Sequence, residues 1–481
     1  MSKDVDKKEV KSIPSKSADL SEWYTQVCLR AQLVDYAPVR GCIVLRPYGH
    51  AMWENIRAEF DRRFKATGHQ SAYFPLLIPE SLLVREAEHV EGFAPEVAWV
   101  TEGGGEKLTE RLAIRPTSEA IIGVMYARWV QSHRDLPILI NQWANVMRWE
   151  KSTRPFLRTL EFLWQEGHTA HSTQAEAAEE VQRMLEVYRE VAEDVLCLPV
   201  IRGRKSEHEK FAGASATYAI EALMPDGKAL QAGTSHELGQ HFAKAYDIKF
   251  TDVDEQIKFA WTTSWGVSWR ILGGLIMAHG DDRGLVLPPS VAPFQVVIVP
   301  IARKGEEAVM PAARDLLKSL SGVARTHLDD RVEQTAPWKF NEWEMRGVPL
   351  RVEIGPRDVA ADQVTIARRD TQEKIAIKRA ELAARIPDLL DDIQRSIYER
   401  ALAYREAHTI SATTREELVA GLKSQRGFVL APWCARTECE LDIKAETSAV
   451  SRILTGDASG GVACAFCGKP AKVHAYFARS Y

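Results

Sequence analysis

The residue types that could do chemistry are densest between Ile138 and Thr169. In ILINQWANVMRWE, Ile138 and Ile140 alternate with their neighbours as in an extended strand, and Arg148 and Glu150 share one face of it. A second alternating run follows TRPFLRTLE, and there Phe162, Trp164, Glu166 and His168 share a face. Two antiparallel strands joined by a basic loop would present Arg148, Glu150, Trp164, Glu166 and His168 together, with Arg154 and Arg158 in the loop. A solvated sheet face with a cross-strand ion pair is the ordinary reading of such a pattern. Two aromatic rings on that face and a loop rich in arginine oppose it, because guanidinium forks match phosphate and carboxylate oxygens bidentately, but on these residues alone the solvated face keeps the better odds over a polyphosphate site. Near the C-terminus, Cys434-x4-Cys439 and Cys464-x2-Cys467 form two close pairs. Four thiolates with no open position read as structural zinc, ahead of a redox dithiol or a zinc-ribbon contact with RNA.

Such side chains need elements to position them. Gly49–Lys65 reads as a helix leading into an apolar strand, Ala72–Ile78, closed by Pro79. Glu176–Leu196 places Val181, Met184, Leu185, Tyr188, Val191 and Val195 at the spacing of an amphipathic helix. From Leu20 to about Pro289, helices and strands mix without a regular βαβ rhythm. Phe294–Pro300 is a short valine-rich run, followed by a helical stretch over Gly305–Leu320 and a strand over Leu350–Ile354. Val364–Ile366 and Ile375–Ile377 read as a hairpin around the turn RRDTQEK. That succession implies a compact α/β domain from about 292 to 400. The polar, lysine-rich tail before Ala18 reads as disordered or only locally ordered.

The chain has 481 residues, and ~150 residues per domain gives about three domains. Apolar residues make up 45% and charged residues 27%, ordinary globular composition. A formal net charge of −4 provides no global field to attract nucleic acid, so RNA binding would rest on local basic patches. The first twenty residues hold no apolar stretch fit for a secretory signal. The most apolar run, Phe294–Ile301, is too short to cross a bilayer. Seven cysteines, three of them scattered, do not make a disulfide framework. A cytoplasmic protein without membrane attachment is expected.

RWE, followed by RPFLRT and EFLWQEGHTAH, closely resembles the second signature motif of class II aminoacyl-tRNA synthetases, in the form used by prolyl-tRNA synthetases. RPYGHAMWENI with AYFPLLIP is similar to the first motif, and RPTSEA (Arg115 to Ala120) to the family's T-x-E loop. QAGTSHELGQ and SWGVSWRILGGLIMAHGDDRGLVLPP resemble the remaining active-site strand and the third motif. The resemblance implies an α+β fold. A class II antiparallel sheet with flanking helices would be joined to an α/β anticodon-binding domain and a small α+β zinc-binding domain. The boundaries expected are 1–18 for the tail, 19–290 for the catalytic domain, 291–400 for the anticodon-binding domain and 401–481 for the zinc-binding domain.

By the same resemblance, Arg148 bridges the proline carboxylate and the α-phosphate of ATP, and Arg270 clamps the γ-phosphate. These two are the expected catalytic residues. Glu150, Arg158, Gln231, Thr234 and Ser268 would contact the nucleotide, with magnesium (Mg2+) as companion ion. Thr117 and Glu119 suit the proline ammonium, with His236 nearby, while Trp164, Glu166 and Phe211 would wall the pocket. Glu166 fits either a pocket wall or a structural hydrogen-bond partner. The resemblance also implies a homodimer formed through the first motif, with tRNA(Pro), L-proline and ATP as partners.

A small apolar pocket discriminates poorly against near-isosteres, so activation of alanine and cysteine is expected. Between His168 and Trp261 no room remains for the editing domain that some relatives carry. The four C-terminal cysteines resemble the zinc (Zn2+) domain of the archaeal and eukaryotic type, in which the chain end, here Tyr481, approaches the active site. HLDDR, KFNEWEMRGVPLRVEIGPRD and ARRD resemble the anticodon-binding domain, where Glu344, Arg346, Arg368 and Arg369 would read guanine edges and phosphates. Ala336-Pro337-Trp338 departs from the family's Pro-Gly at that point. A threonine-specific relative is disfavoured, because no cysteine lies in the matching strands to hold a catalytic zinc. A non-catalytic paralogue is disfavoured because Arg148, Arg158 and Arg270 are all present.

Overall fold

The computed structural model describes residues 13–89, 97–302, 307–424, 427–458 and 460–481. The chain separates into two compact units. One comprises the residues up to Asp35, Val44–Met52 and His279–Ile397, and the other comprises Tyr36–Ile43, Trp53–Ala278 and Tyr398–Tyr481. Most of the expected polar tail, residues 1–12, lies outside the described residues.

The larger unit is organised by an eleven-stranded sheet. Its central strands run Val200–Arg204, Ala216–Leu223, Ala229–Gly239, Trp261–Ser268, Glu161–His171 and Ile138–Met147, each antiparallel to the next. Register places Gln142 opposite Glu166, Ala144 opposite Trp164 and Val146 opposite Phe162. Phe162, Trp164, Glu166 and His168 therefore do share a face, since alternate residues point the same way. The first strand stops at Met147, one residue short of Arg148, whose N–H bonds to the Leu160 carbonyl at 2.8 Å.

The opposite face of the sheet is covered by helix Gln174–Glu190, which a Thr173–Glu176 capping box starts. Val181, Met184 and Tyr188 are buried beneath it. The Tyr188 ring meets Phe60, Phe64 and Trp265 at 5.7, 6.3 and 6.3 Å. The expected helix to Leu196 ends its regular part at Glu190 and continues as one wide turn, Val191–Val195. There the Leu196 N–H reaches back five residues to the Val191 carbonyl.

The expected helix Gly49–Lys65 is observed as Pro47–Ala66. The expected strand Ala72–Ile78 is not one strand. Gln70–Ser71 pairs with the 138–147 strand, the chain then leaves the sheet, and Leu77–Pro79 joins a separate three-stranded sheet. Pro75 lies at the break and has no N–H to donate to a ladder.

The C-terminal strands do not form a sheet of their own. Val450–Asp457 runs antiparallel to Val200–Arg204, with Leu454 opposite Arg204, and Val473–Ala478, Phe428–Trp433 and Thr409–Ser411 extend the sheet beyond it. Gly203 makes this seam possible. A Cβ there would lie 2.7 Å from Ile453 Cγ2 and 2.8 Å from the Leu454 carbonyl oxygen.

The smaller unit holds a five-stranded sheet in the order Thr326–Leu328, Val296–Pro300, Leu350–Ile354, Gln363–Arg368, Lys374–Lys378. The first three strands are parallel and the last two form the expected hairpin. The helix expected over Gly305–Leu320 is Val309–Ser319, and the proposed start at Gly305 lies outside the described residues. Ala336-Pro337-Trp338 opens helix Ala336–Met345. Thr335 caps it, accepting from the Trp338 N–H at 3.4 Å, and Pro337 occupies the first turn, where a missing N–H costs little. Asp329 anchors the same region, accepting from Trp343 Nε1 at 2.9 Å and pairing with Arg331 at 2.7 Å.

Candidate active site

The central strands of the larger unit form the floor of a cavity of about 290 Å³. Thr117, Glu119, Arg148, Trp164, Glu166, Phe211, Gln231, Thr234, His236, Ser268 and Arg270 all line it. Glu150 and Arg158 lie at an adjoining recess that shares Arg148, Ser268 and Arg270. Residues spread over more than 150 positions of sequence are thus brought to one place.

Arg148 is the hub. Its Nε donates to the Pro116 carbonyl at 3.1 Å, and its guanidinium lies 5.4 Å from the ring centroids of both Phe162 and Trp164. Burial lowers its pKa, and the charges of Glu119, Glu166 and Glu150 oppose that. Thr117 donates a short hydrogen bond to Glu119 at the start of helix Glu119–Trp129. The loop beneath is fixed by Arg115, whose fully buried guanidinium donates to the carbonyls of Phe74 at 2.7 Å and Asn145 at 2.8 Å.

Glu166 is saturated from within the protein. Its carboxylate accepts from Ser118 Oγ at 2.5 Å, Gln142 Nε2 at 2.6 Å, the Ser118 N–H at 3.1 Å and His168 at 3.1 Å. Burial acts to raise its pKa, but these partners outweigh that and hold it below the usual value. Burial likewise disfavours the charged form of His168, yet Glu166 and Glu119 raise its pKa. His236 goes the other way, to about 3, through burial and the neighbouring charge of His168. It is therefore neutral near pH 7, sharing a hydrogen with Thr217 Oγ1 at 3.0 Å and facing the Phe211 ring at 4.8 Å.

Beyond Arg148 the site turns cationic. Arg270 Nε donates to the Leu157 carbonyl at 3.1 Å, and its N–H to Ser268 Oγ at 3.3 Å. Burial and the nearby charges of Arg148 and Arg158 lower its pKa. Arg158 is half-exposed and pairs with Glu150 at 2.7 Å. Three guanidiniums held close enough to repel one another are a standing field for an anion. The end of the chain lies beside these strands: the Tyr481 N–H bonds to the Ala229 carbonyl at 3.2 Å, at the start of the strand that carries Gln231, Thr234 and His236.

The spacing of motifs marked Arg148, Glu119 and Arg270 but not Ser118, Gln142 or Thr217, which act through buried hydrogen bonds. Gln142 lies opposite Glu166 in the register, so the strand pairing was the available signal. Glu209 also lines the cavity and had no motif to mark it.

The four cysteines converge in the same unit. Cys434 follows strand Phe428–Trp433, Cys439 lies in helix Thr437–Thr447, and Cys464 and Cys467 lie before strand Val473–Ala478. All four Sγ atoms lie within 4.8 Å of one another, with Cys439–Cys464 at 3.9 Å and Cys434–Cys467 at 3.6 Å. A tetrahedral ion with sulfur ligands at ~2.3 Å needs sulfur separations of about 3.8 Å, so the donor set fits zinc.

In the smaller unit Glu344, Arg368 and Arg369 line a recess of about 370 Å³ together with Arg283, Arg351 and Lys374. Arg346 is not among its walls. Its guanidinium reaches Gln32 at 2.8 Å and Glu342 at 2.7 Å. Arg368 is paired with Asp370 and Asp392, and Arg369 with Asp281.

Fold and site together define a class II aminoacyl-tRNA synthetase. Residues 99–279 match the model of the tRNA synthetase class II core domain (G, H, P, S and T), residues 295–389 that of the anticodon binding domain, and residues 415–481 that of the prolyl-tRNA synthetase C-terminal domain. The chain is 55% identical over 475 residues to the proline–tRNA ligase of Natranaerobius thermophilus, covering 98% of each. It is also 55% identical over 485 residues to that of Symbiobacterium thermophilum, covering 99% of each. Among solved structures, prolyl-tRNA synthetase from Cryptosporidium parvum complexed with halofuginone and AMPPNP superposes with a TM-score of 0.93 at 42% identity over 98% of both chains. The chain belongs to the prolyl-tRNA synthetase family.

Proposed function

We propose that the chain activates L-proline with ATP to prolyl-adenylate and transfers the prolyl group to the 3′ end of tRNA(Pro), releasing AMP and pyrophosphate. The observation that carries this reading is the convergence of Thr117, Glu119, Trp164, Phe211 and His236 around Arg148 in one cavity, continuous with the cationic end at Arg270. In the first step a proline carboxylate oxygen attacks the α-phosphorus and the bond to the β-phosphate oxygen breaks. Arg148 holds both reactants and is placed to neutralise charge that grows between them, which is electrostatic stabilisation by a preorganised group. Arg270 and Arg158 hold the outer phosphates, so that positioning dominates. Gln231, Thr234 and Ser268 contact the nucleotide, and Glu150 the adenine. Glu119 and Thr117 accept from the proline ammonium, and neutral His236 adds no repulsion. Magnesium bound with ATP would supply further neutralisation of the phosphates.

Further parts of the reading rest on the same relationship. Cys434, Cys439, Cys464 and Cys467 hold a structural zinc. Residues 19–290 form the catalytic domain, 291–400 the anticodon-binding domain and 401–481 the zinc-binding domain, with Glu344, Arg346, Arg368 and Arg369 at the anticodon. The protein works as a cytoplasmic homodimer, which cell fractionation and sedimentation test. Among the described residues no helix is long and apolar enough to cross a membrane. Between His168 and Trp261 the chain is occupied by helix Gln174–Glu190 and strands of the central sheet, so alanyl-tRNA(Pro) should resist hydrolysis by this enzyme.

Pyrophosphate exchange with proline, threonine, alanine or no amino acid tests the core of the proposal. Exchange should depend on proline and fall by about 10²–10³-fold in Arg148→Ala. Equal exchange with threonine would overturn the pocket assignment, and exchange surviving in Arg148→Ala would overturn the role of that arginine.

A further inference from the structure

A cluster of four charges, three of them buried, joins the C-terminal part of the sheet to the wall of the cavity, and the reaction as described does not use it. Arg452, on strand Val450–Asp457, is 5% exposed, and Glu221, on strand Ala216–Leu223, is fully buried. Arg452 Nη2 donates to Glu221 Oε1 at 2.6 Å, and Lys205 Nζ donates to the same oxygen at 3.1 Å. Arg452 Nη1 lies 3.5 Å from Glu209 Oε2, and Glu209 is itself a wall of the cavity. Two carboxylates and two cations thus balance, with Arg452, Glu221 and Lys205 buried and Glu209 at the half-buried end, and removing a buried member leaves an uncompensated charge.

The chain between Lys205 and Thr217 hangs between two anchors. At one end Lys205 is tied by its N–H to the Thr217 carbonyl at 2.8 Å and by its ammonium to Glu221. At the other, the Phe211 N–H donates to Thr217 Oγ1 at 2.9 Å, the hydroxyl that also meets His236. Glu209 lies between; its N–H bonds to the Ser206 carbonyl and Oγ, both at 3.2 Å, and its carboxylate faces Arg452 across the seam. Arg452 belongs to a strand whose backbone meets Val200–Arg204 at a single register pair, so its side chain supplies the polar part of the joint.

We propose that Arg452 is a positioning residue for the substrate pocket. Reaching across the seam to Glu221 and Glu209, it fixes the segment that presents Glu209 and Phe211 to the amino acid. The inference deepens the proline-activating reading and rests on it. Arg148 and Arg270 bond to other elements, through the Pro116 and Leu157 carbonyls, and Glu221, whose charge acts on Arg270, is left in place, so loosening this wall affects amino-acid binding and selectivity more than the chemical step.

The test is steady-state exchange with proline, alanine and ATP on full-length wild type, Arg452→Met, Arg452→Lys, Glu209→Gln and the double variant Arg452→Met/Glu209→Gln. Expected for Arg452→Met is a proline KM raised on the order of tenfold, as for a wall displaced by a fraction of an ångström, with kcat and the KM for ATP within about twofold. Preference for proline over alanine should fall in parallel. Arg452→Lys should recover most of the loss. The double variant should be no worse than the poorer single variant, because both cut one connection. An unchanged proline KM in Arg452→Met, a uniform loss that tracks the melting temperature, or additive effects would overturn the proposal. Should Arg452→Met fail to fold, Glu209→Gln at the half-buried end carries the test, and a wild-type proline KM there overturns it. Wild type without proline-dependent exchange would instead sink the functional reading itself.

Discussion

Glu119 and Glu166 face the same cavity within reach of Arg148, yet their surroundings assign them different tasks. Glu166 accepts from Ser118, Gln142 and His168, so its oxygens are already engaged. It ties Ser118, Gln142 and His168 together and favours the protonated form of His168. The two titrations have opposite signs. Glu166 ionises more readily in the folded chain, so its stabilisation is complete above its ordinary 4.5 and is lost as pH falls through its lowered folded value. His168 keeps its proton more tightly when folded, so its stabilisation is complete below its ordinary 6.5 and is lost as pH rises through its raised folded value. The pair contributes most between those ordinary values. Glu166→Gln should therefore cost about 1.5–3 kcal/mol of unfolding free energy near pH 6, as for hydrogen bonds to a charged group. Denaturant titrations at increasing pH should show that gap narrowing as His168 loses its proton. A gap that stays constant would mean the pair is not coupled in this way. Arg148 and Glu119 were legible in the sequence because their motifs constrain both type and spacing. Gln142 and Ser118 were not, because a neutral side chain becomes important here only through a partner that the strand register supplies.

At the scale of elements, what was legible followed local periodicity and what was not depended on breaks in it. Strand Leu350–Ile354 and the hairpin beyond it carry their alternation on their faces, and both are where the pattern places them. Ala72–Ile78 is as apolar as a strand but is cut at Pro75, and its two ends join different sheets. The Trp265 ring packs so closely over Gly167 that a Cβ there would fall 2.1 Å from its atoms, a constraint no pattern of hydrophobicity reveals. The cysteine pairs were legible for a different reason, since four thiolates in that spacing have few other uses. They join the loop after one strand, a helix, and the loop before another strand, so an ion there ties three elements at once. Cys464→Ser should abolish stoichiometric zinc by metal analysis and lower stability by more than about 4 kcal/mol, the range of lost metal sites. Full stability with no bound zinc would show that the strands hold without it.

At the scale of the whole molecule, the joining of the C-terminal strands to the catalytic sheet was not legible at all. Pairing between Leu454 and Arg204 is a contact between distant parts of the chain, and neither stretch carries a local sign of its partner. A surface that would meet another copy is no easier to read from the sequence. Tyr73 is 72% exposed and Trp129 43%, and both lie beside Phe74, the Trp129 ring 6.1 Å from its own. Two large aromatic rings exposed beside a core cluster favour burial against a partner, since burying each removes apolar area worth ~25 cal/mol per Å². Tyr73 and Phe74 belong to AYFPLLIP, in the stretch that resembles the first motif, so a second copy of the chain is the occupant expected here. Wild type should sediment at twice the 54.0 kDa of the chain at micromolar concentration. Tyr73→Asp with Trp129→Asp should sediment as a monomer with its helical signal intact, because Tyr73 is largely exposed and Trp129 half-exposed in the single chain. A variant that remains dimeric would place the interface elsewhere, and a wild type that is already monomeric would leave these rings without a partner of this kind.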